Sequence, residues 1–88
     1  MSYVYILISE KNGRYYIGCT NDINLRLKTH NAGKVFSTKH FCPWKLIYHE
    51  TYKTLSEARK RESQIKSWKK RSAIEKLIHA AVFVADAE

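Results

Sequence analysis

Between two runs of aromatic and β-branched residues stands the pair Asn12-Gly13. This pair restricts the fold more tightly than any other feature of the chain, because Asn-Gly fits the tight turns that join antiparallel strands. Tyr3 to Ser9, with Val4, Ile6 and Ile8 β-branched, therefore pairs with Tyr15-Tyr16-Ile17 as a hairpin, and Glu10 to Arg14 is its turn. With Asn12 and Gly13 as a two-residue loop, Ser9, Leu7 and Tyr5 stand opposite Tyr16, Gly18 and Thr20. Tyr5 and Tyr16 then share a face, Gly18 leaves a gap between them, and the two tyrosines lie about 13 Å apart along the strands, too far to touch. Both parities of the first strand are apolar or aromatic, which predicts cover on both faces.

The rest of the chain follows in order. Thr20, Asn21 and Asp22 are cap residues and open a helix over 22–31, which Asn31-Ala32-Gly33 ends. Asp22, Arg26 and His30 recur every four residues and share a face; Ile23 and Leu27 form an apolar one beside it. Residues 34–43 read as a basic, aromatic loop with room for a short helical turn. Trp44 to Tyr52 is a third strand, with Trp44, Leu46 and Tyr48 alternating against Lys45, Ile47 and His49. Thr54-Leu55-Ser56-Glu57 is a capping box opening a helix to about Trp68, and Ser72-Ala73-Ile74-Glu75 is a second, opening a helix to about Val82. The order β-β-α-β-α-α predicts an α+β fold, a three-stranded antiparallel sheet flanked by helices. It forms a single domain over 1–82, with a frayed tail over 83–88.

Eighty-eight residues leave room for one core. No apolar run is long enough to span a membrane. The start of the chain lacks a basic n-region and a small-residue cleavage site, and the two cysteines read as reduced thiols, so a cytoplasmic location is expected. Sixteen Lys and Arg against eight Asp and Glu give a net charge of +8, which points to nucleic acid as the acidic partner. From Lys53 to Arg71 the net charge is +6 in 19 residues; a solvated helix face is the bland alternative, but charge at this density usually has a polyanion partner. Lys34, Lys39, Arg59, Lys60, Lys66, Lys69, Lys70 and Arg71 are the candidate phosphate contacts. Phe36, Phe41 and Trp44 in the basic loop either stack on bases or pad the core.

Cutting a phosphodiester requires an activated water, neutralisation of the phosphate and, usually, a divalent ion held by a carboxylate. Arg26 offers a guanidinium fork for phosphate oxygens, or else an i,i+4 pair with Asp22. Tyr16 can take a proton from water only if nearby cations lower its pKa; otherwise it is a packing aromatic. Glu62 falls within the apolar stripe Leu55, Ala58, Ile65, Trp68 of the second helix, where an unpaired charge is costly. It must hold a cation, or pair with Lys66 at the helix edge. A zinc site from Cys19, His30, His40, Cys42 and His49 is the competing chemistry, but their spacing fits no zinc pattern.

At these positions the chain resembles the GIY-YIG nuclease superfamily, in particular the small stand-alone bacterial members related to the excinuclease C nuclease domain. Val4-Tyr5, preceded by Tyr3, matches the first half of the signature and Tyr16-Ile17-Gly18 the second. Arg26 falls at the family's catalytic arginine, His30 at a histidine that some homing-endonuclease members carry in the catalytic site, and Glu62 at the metal-binding glutamate. The resemblance implies an endonuclease with one Mg²⁺ or Mn²⁺ on Glu62, and DNA rather than RNA is the expected nucleic acid. Tyr16 would help activate water, Tyr5 line the pocket and Arg26 stabilise the transition state. Repair or processing of DNA intermediates, alone or within a larger repair complex, is the implied role. Three positions depart from the pattern. Tyr3 replaces the first glycine, Cys19 stands where excinuclease domains have a lysine, and the late asparagine of several members has no clear counterpart. These departures keep open a binding module with weak or lost catalysis.

Overall fold

The computed structural model describes the backbone of residues 1–87 and the side chains of residues 1–81. The tail expected over 83–88 lies outside the residues whose side chains are described. The elements are β1 (Ser2–Ser9), β2 (Tyr15–Thr20), α1 (Ile23–Asn31), a 3₁₀ turn (Lys39–Phe41), β3 (Trp44–Tyr52), α2 (Leu55–Ser67) and α3 (Arg71–Ala87). The strands form one antiparallel sheet in the order β2-β1-β3. The expected α+β architecture and element order are therefore present. Among the described residues no helix is long and apolar enough to cross a membrane.

β1 is the central strand and is covered on both faces, as its sequence predicts. Val4 and Ile6 pack with Ile17, Ala58 and Ile65 beneath α2 and α3. Tyr5 and Leu7 pack with Trp44, Ile23 and Leu27 beneath α1 and the 34–43 loop. β2 is an edge strand, so side chains from both faces can meet around it.

The hairpin register differs from the one a two-residue turn implies. Tyr5 stands opposite Gly18, and Leu7 opposite Tyr16. The loop has four residues between the paired Ser9 and Arg14, whose backbone groups bond at 2.8 Å. Ser9 Oγ accepts from the amides of both Lys11 and Asn12, which holds the wider loop, and Gly13 closes it at a φ of +76°. The shift is two residues, so Tyr5 and Tyr16 keep a common face, yet they move together. Their ring centroids are 6.2 Å apart, and the expected separation is corrected.

β3 breaks its own alternation. Leu46 stands opposite Leu7 but Tyr48 opposite Ile6, so Ile47 is the extra residue of a β-bulge. Trp44 and Leu46 face α1, whereas Tyr48 and Tyr52 pack on the α2 side. The expectation that Trp44, Leu46 and Tyr48 share a face is thereby overturned.

The first two helices start where their caps predict. Asp22 Oδ1 accepts from the Leu25 amide at 3.0 Å, and Thr54 Oγ1 from the Glu57 amide at 3.2 Å. Ser72 is not a cap: α3 begins at Arg71, and the Lys70 carbonyl takes its first amides. Arg71 donates to the Gly13 carbonyl at 2.8 Å and lies 4.2 Å over the Tyr15 ring, pinning this first turn to the hairpin loop.

Candidate active site

Gly18 and Cys19 are consecutive on the edge strand, so they face opposite sides of the sheet. Over Gly18 lies Tyr5. A Cβ at Gly18 would come within 2.5 Å of the Tyr5 hydroxyl and 3.1 Å of the Tyr16 ring. The glycine is there for space, because no side chain fits beneath the tyrosine. Arg26 Nε donates to the Tyr5 hydroxyl at 3.4 Å. It makes no ion pair with Asp22, which caps α1 instead, and the simple helix-surface pair is set aside.

His30 is fully buried, so it reaches neither solvent nor substrate directly. Its Nε2 lies 3.1 Å from the Tyr5 hydroxyl and its Nδ1 2.8 Å from Thr38 Oγ1. Burial, with Arg26 nearby, drives its pKa down to about 4, so the ring is neutral at pH 7. One assignment satisfies every donor. Arg26 donates to Tyr5, Tyr5 to His30 Nε2, His30 Nδ1–H to Thr38, and Thr38 to the Val35 carbonyl. Burial pushes the Tyr5 hydroxyl up to about 12, so it keeps its proton and holds Arg26 in place. His30 is thus a positioning residue beneath Tyr5. Thr38, missed by the sequence reading, completes the chain; nothing in a Ser-Thr-Lys stretch marks it as buried. Tyr16 is the more exposed tyrosine, its ring 4.7 Å from His30. Hydrogen bonding to Tyr5 first, and to Tyr16 in smaller part, secures the charge on Arg26.

Behind Cys19 lies Glu62. Cys19 Sγ donates to its Oε1 at 3.3 Å, and Lys66 Nζ pairs with its Oε2 at 2.9 Å. Burial, then the bond to Glu62, pushes the Cys19 thiol up, so it stays protonated. The Glu62 side chain is 19% exposed. A single hard carboxylate at a strand edge suits an ion that takes its remaining ligands from water and phosphate, as Mg²⁺ and Mn²⁺ do. Lys66, exposed and flexible, would have to share or yield its oxygen. Zinc does not fit. His30 is enclosed, Cys42 Sγ donates to the His30 carbonyl, and no three metal-ligating side chains gather among the described residues.

The basic residues divide. Arg71 is committed to Gly13, Glu75 and Tyr15, and Lys66 to Glu62. Arg59, Lys60, Lys69, Lys70, Lys34 and Lys39 are exposed and make no ion pair among the described residues. Arg59 and Lys60, with Ser56 and Ser63, line a shallow depression of about 470 Å³ along α2, on the helix that carries Glu62. Arg59 also reaches the surroundings of Cys19.

The family model of the GIY-YIG catalytic domain matches residues 1–76. The chain belongs to the GIY-YIG family. That is a family of nucleases, so its substrate is a nucleic acid, and its members generally depend on a divalent metal. Small relatives share the sequence. A UPF0213 protein of Staphylococcus epidermidis is 45% identical over 67 residues, covering 75% of this chain and 80% of its own. A UPF0213 protein of Bacillus pumilus is 42% identical over 67 residues, covering 75% and 67%. The solution NMR structure of the UPF0213 protein BH0048 from Bacillus halodurans superimposes with a TM-score of 0.57 at 33% identity, over 91% of this chain and 85% of that one. In this GIY-YIG domain the signature tyrosines are the pair packed around Gly18.

Proposed function

We propose that this protein is an endonuclease that hydrolyses phosphodiesters in DNA with one Mg²⁺ or Mn²⁺ ion on Glu62, in the repair or processing of DNA intermediates. The observation that carries the reading is the edge of β2. Tyr5 and Arg26 converge over Gly18, while Glu62 reaches Cys19, the next residue, from the other side. Residues 5, 16, 26 and 62 are far apart in the chain, and only a site at this edge gives them a common purpose.

Each side chain has a part. Arg26, held by the Tyr5 hydroxyl, neutralises the charge that grows on the phosphate. His30 and Thr38 fix that hydroxyl from below. Tyr16, on the exposed side of Tyr5, orients the attacking water and takes part in its deprotonation. Glu62 holds the ion, which when bound neutralises phosphate charge and lowers the pKa of water. Arg59, Lys60, Lys69 and Lys70 align the strand along α2 by its phosphates. A cytoplasmic setting and a larger repair complex that supplies specificity belong to the same reading.

One observation favours a second reading, a nucleic-acid-binding module with little catalysis. Both oxygens of Glu62 already have partners, Cys19 and Lys66.

Cleavage of a panel of plasmid, single strand, flap, four-way junction and RNA, with Mn²⁺ or Mg²⁺, tests the two readings. Wild type is compared with Glu62→Ala and Arg26→Ala purified identically. Cleavage that vanishes in both variants supports the endonuclease, and the cleaved substrates decide between DNA and RNA. Intact substrates throughout, with binding retained, overturn it in favour of the module.

A further inference from the structure

Between Asp22 and Glu50 the chain has no acidic residue, yet it holds Arg26, Lys28, Lys34, Lys39 and Lys45. These 27 residues supply α1 and the loop that cover the tyrosine face of the sheet. The loop's three aromatics have different fates. Trp44 is buried, its Nε1 donating to the Thr38 carbonyl at 3.0 Å. Phe41 is half-buried with Arg14 4.7 Å from its ring centre. Phe36 is 83% exposed, and the Lys39 ammonium lies 4.9 Å from its ring centre.

Phe36 is also firmly mounted. Thr38, two residues on, is buried against His30 and Trp44, and the Thr38 and Lys39 amides both donate to the Val35 carbonyl. The exposed ring therefore stands on a turn anchored to the residue that supports His30, and through it Tyr5. A lone apolar side chain on a surface needs no explanation. An aromatic on an acid-free stretch of chain, with a cation over one side, anchored through Thr38 and His30 to Tyr5, has the chemistry of a base-stacking platform.

We propose that Phe36 stacks on an unpaired base next to the scissile phosphate, so that the preferred substrate carries a single-stranded or unstacked nucleotide at that point. This rests on the nuclease reading for the word scissile, but the stacking itself does not require catalysis. Lys39 and Lys34 hold the flanking phosphates. A fully paired duplex offers the ring no free base face.

The test is binding in EDTA, where cleavage plays no part. The probes are a 20-nucleotide single strand and a gapped duplex, each with 2-aminopurine at the unpaired position, and a continuous duplex of the same sequence. Wild type should bind the first two more tightly and quench the 2-aminopurine. Phe36→Ala should weaken binding to them by roughly ten-fold or more, lose the quench and change duplex affinity less than two-fold; Phe36→Tyr should restore both. Three results would each overturn the proposal: a quench that persists in Phe36→Ala, an equal loss on all three probes, or self-association that Phe36→Ala abolishes. Wild type that leaves every substrate of the cleavage panel intact, with stacking retained, would sink the nuclease reading and leave this one standing.

Discussion

The two faces of the sheet each carry a polar cluster, and they differ in how their charge is closed. On the α2 side, Glu50 pairs with Arg61 at 2.9 Å and accepts from Tyr48 and from Tyr52, the latter at 2.6 Å. Burial works against its ionisation, yet the bonds from Arg61, Tyr48 and Tyr52 outweigh it and hold the carboxyl below its usual range. Arg61 also lies 5.5 Å over Trp68, so the unit ties β3 to α2. On the α1 side, Arg26, Tyr5, His30 and Thr38 are as well hydrogen-bonded, but among the described residues no carboxylate pairs with the guanidinium. A charge closed within the chain belongs to the scaffold, whereas a charge held in place and left open is available to an outside anion.

The sharpest way to break this comparison is to remove one charged side chain from each side. Arg26→Ala should lower the cleavage rate about 10²–10³-fold while the unfolding free energy stays within about 1 kcal/mol of wild type, read by single-turnover kinetics and urea titration. Glu50→Ala should do the reverse. It leaves Arg61 without its partner and should cost about 3–4 kcal/mol in urea, with cleavage per folded molecule nearly unchanged. If both variants lose activity and stability together, the division into scaffold and site fails.

Acid separates the two clusters further. His30 titrates in the unfolded chain near pH 6.5 but in the native protein at about 4. Its contribution is therefore whole above 6.5 and is lost as pH falls towards 4, a decline of about 2–3 kcal/mol. Glu50, with its pKa depressed, contributes stability that is lost only below about pH 4.5. Urea midpoints from pH 7 to 4.5 should slope in wild type and flatten in His30→Gln.

Gly18→Ala is a smaller probe. Its Cβ displaces the Tyr5 hydroxyl, with a stability loss of about 1–2 kcal/mol and a cleavage loss of about ten-fold. Lys66→Ala should change stability by less than about 0.5 kcal/mol, since the lysine is exposed and the pair is an i,i+4 contact at the surface end of Glu62. It should leave cleavage equal or faster by freeing Glu62, and a marked loss would place Lys66 among the phosphate contacts instead.

Much of this was legible in the residues. Element order, two of the three helix caps and the double cover of β1 follow from alternation and cap chemistry. The signature positions Tyr5, Tyr16, Arg26 and Glu62 do meet around one edge. What escaped depends on long-range contact. Ser9 Oγ widens a turn that Asn12-Gly13 alone would make tight. Asp22, Arg26 and His30 share a helix period, yet one caps, one reaches Tyr5 and one is enclosed. Cys19 bonds Glu62 across 43 positions, and no local pattern announces that.

The bulge at Ile47 gives β3 two reading frames. Before it, even-numbered residues look towards α1; after it, they look towards α2. Were the same residues to alternate strictly through Ile47, Glu50 would fall on the side of Arg26 and His49 on the side of Arg61. An anionic side chain would then share a face with the Arg26 guanidinium. The break in alternation at Ile47 thus keeps the protein's own acid off the face that carries Arg26.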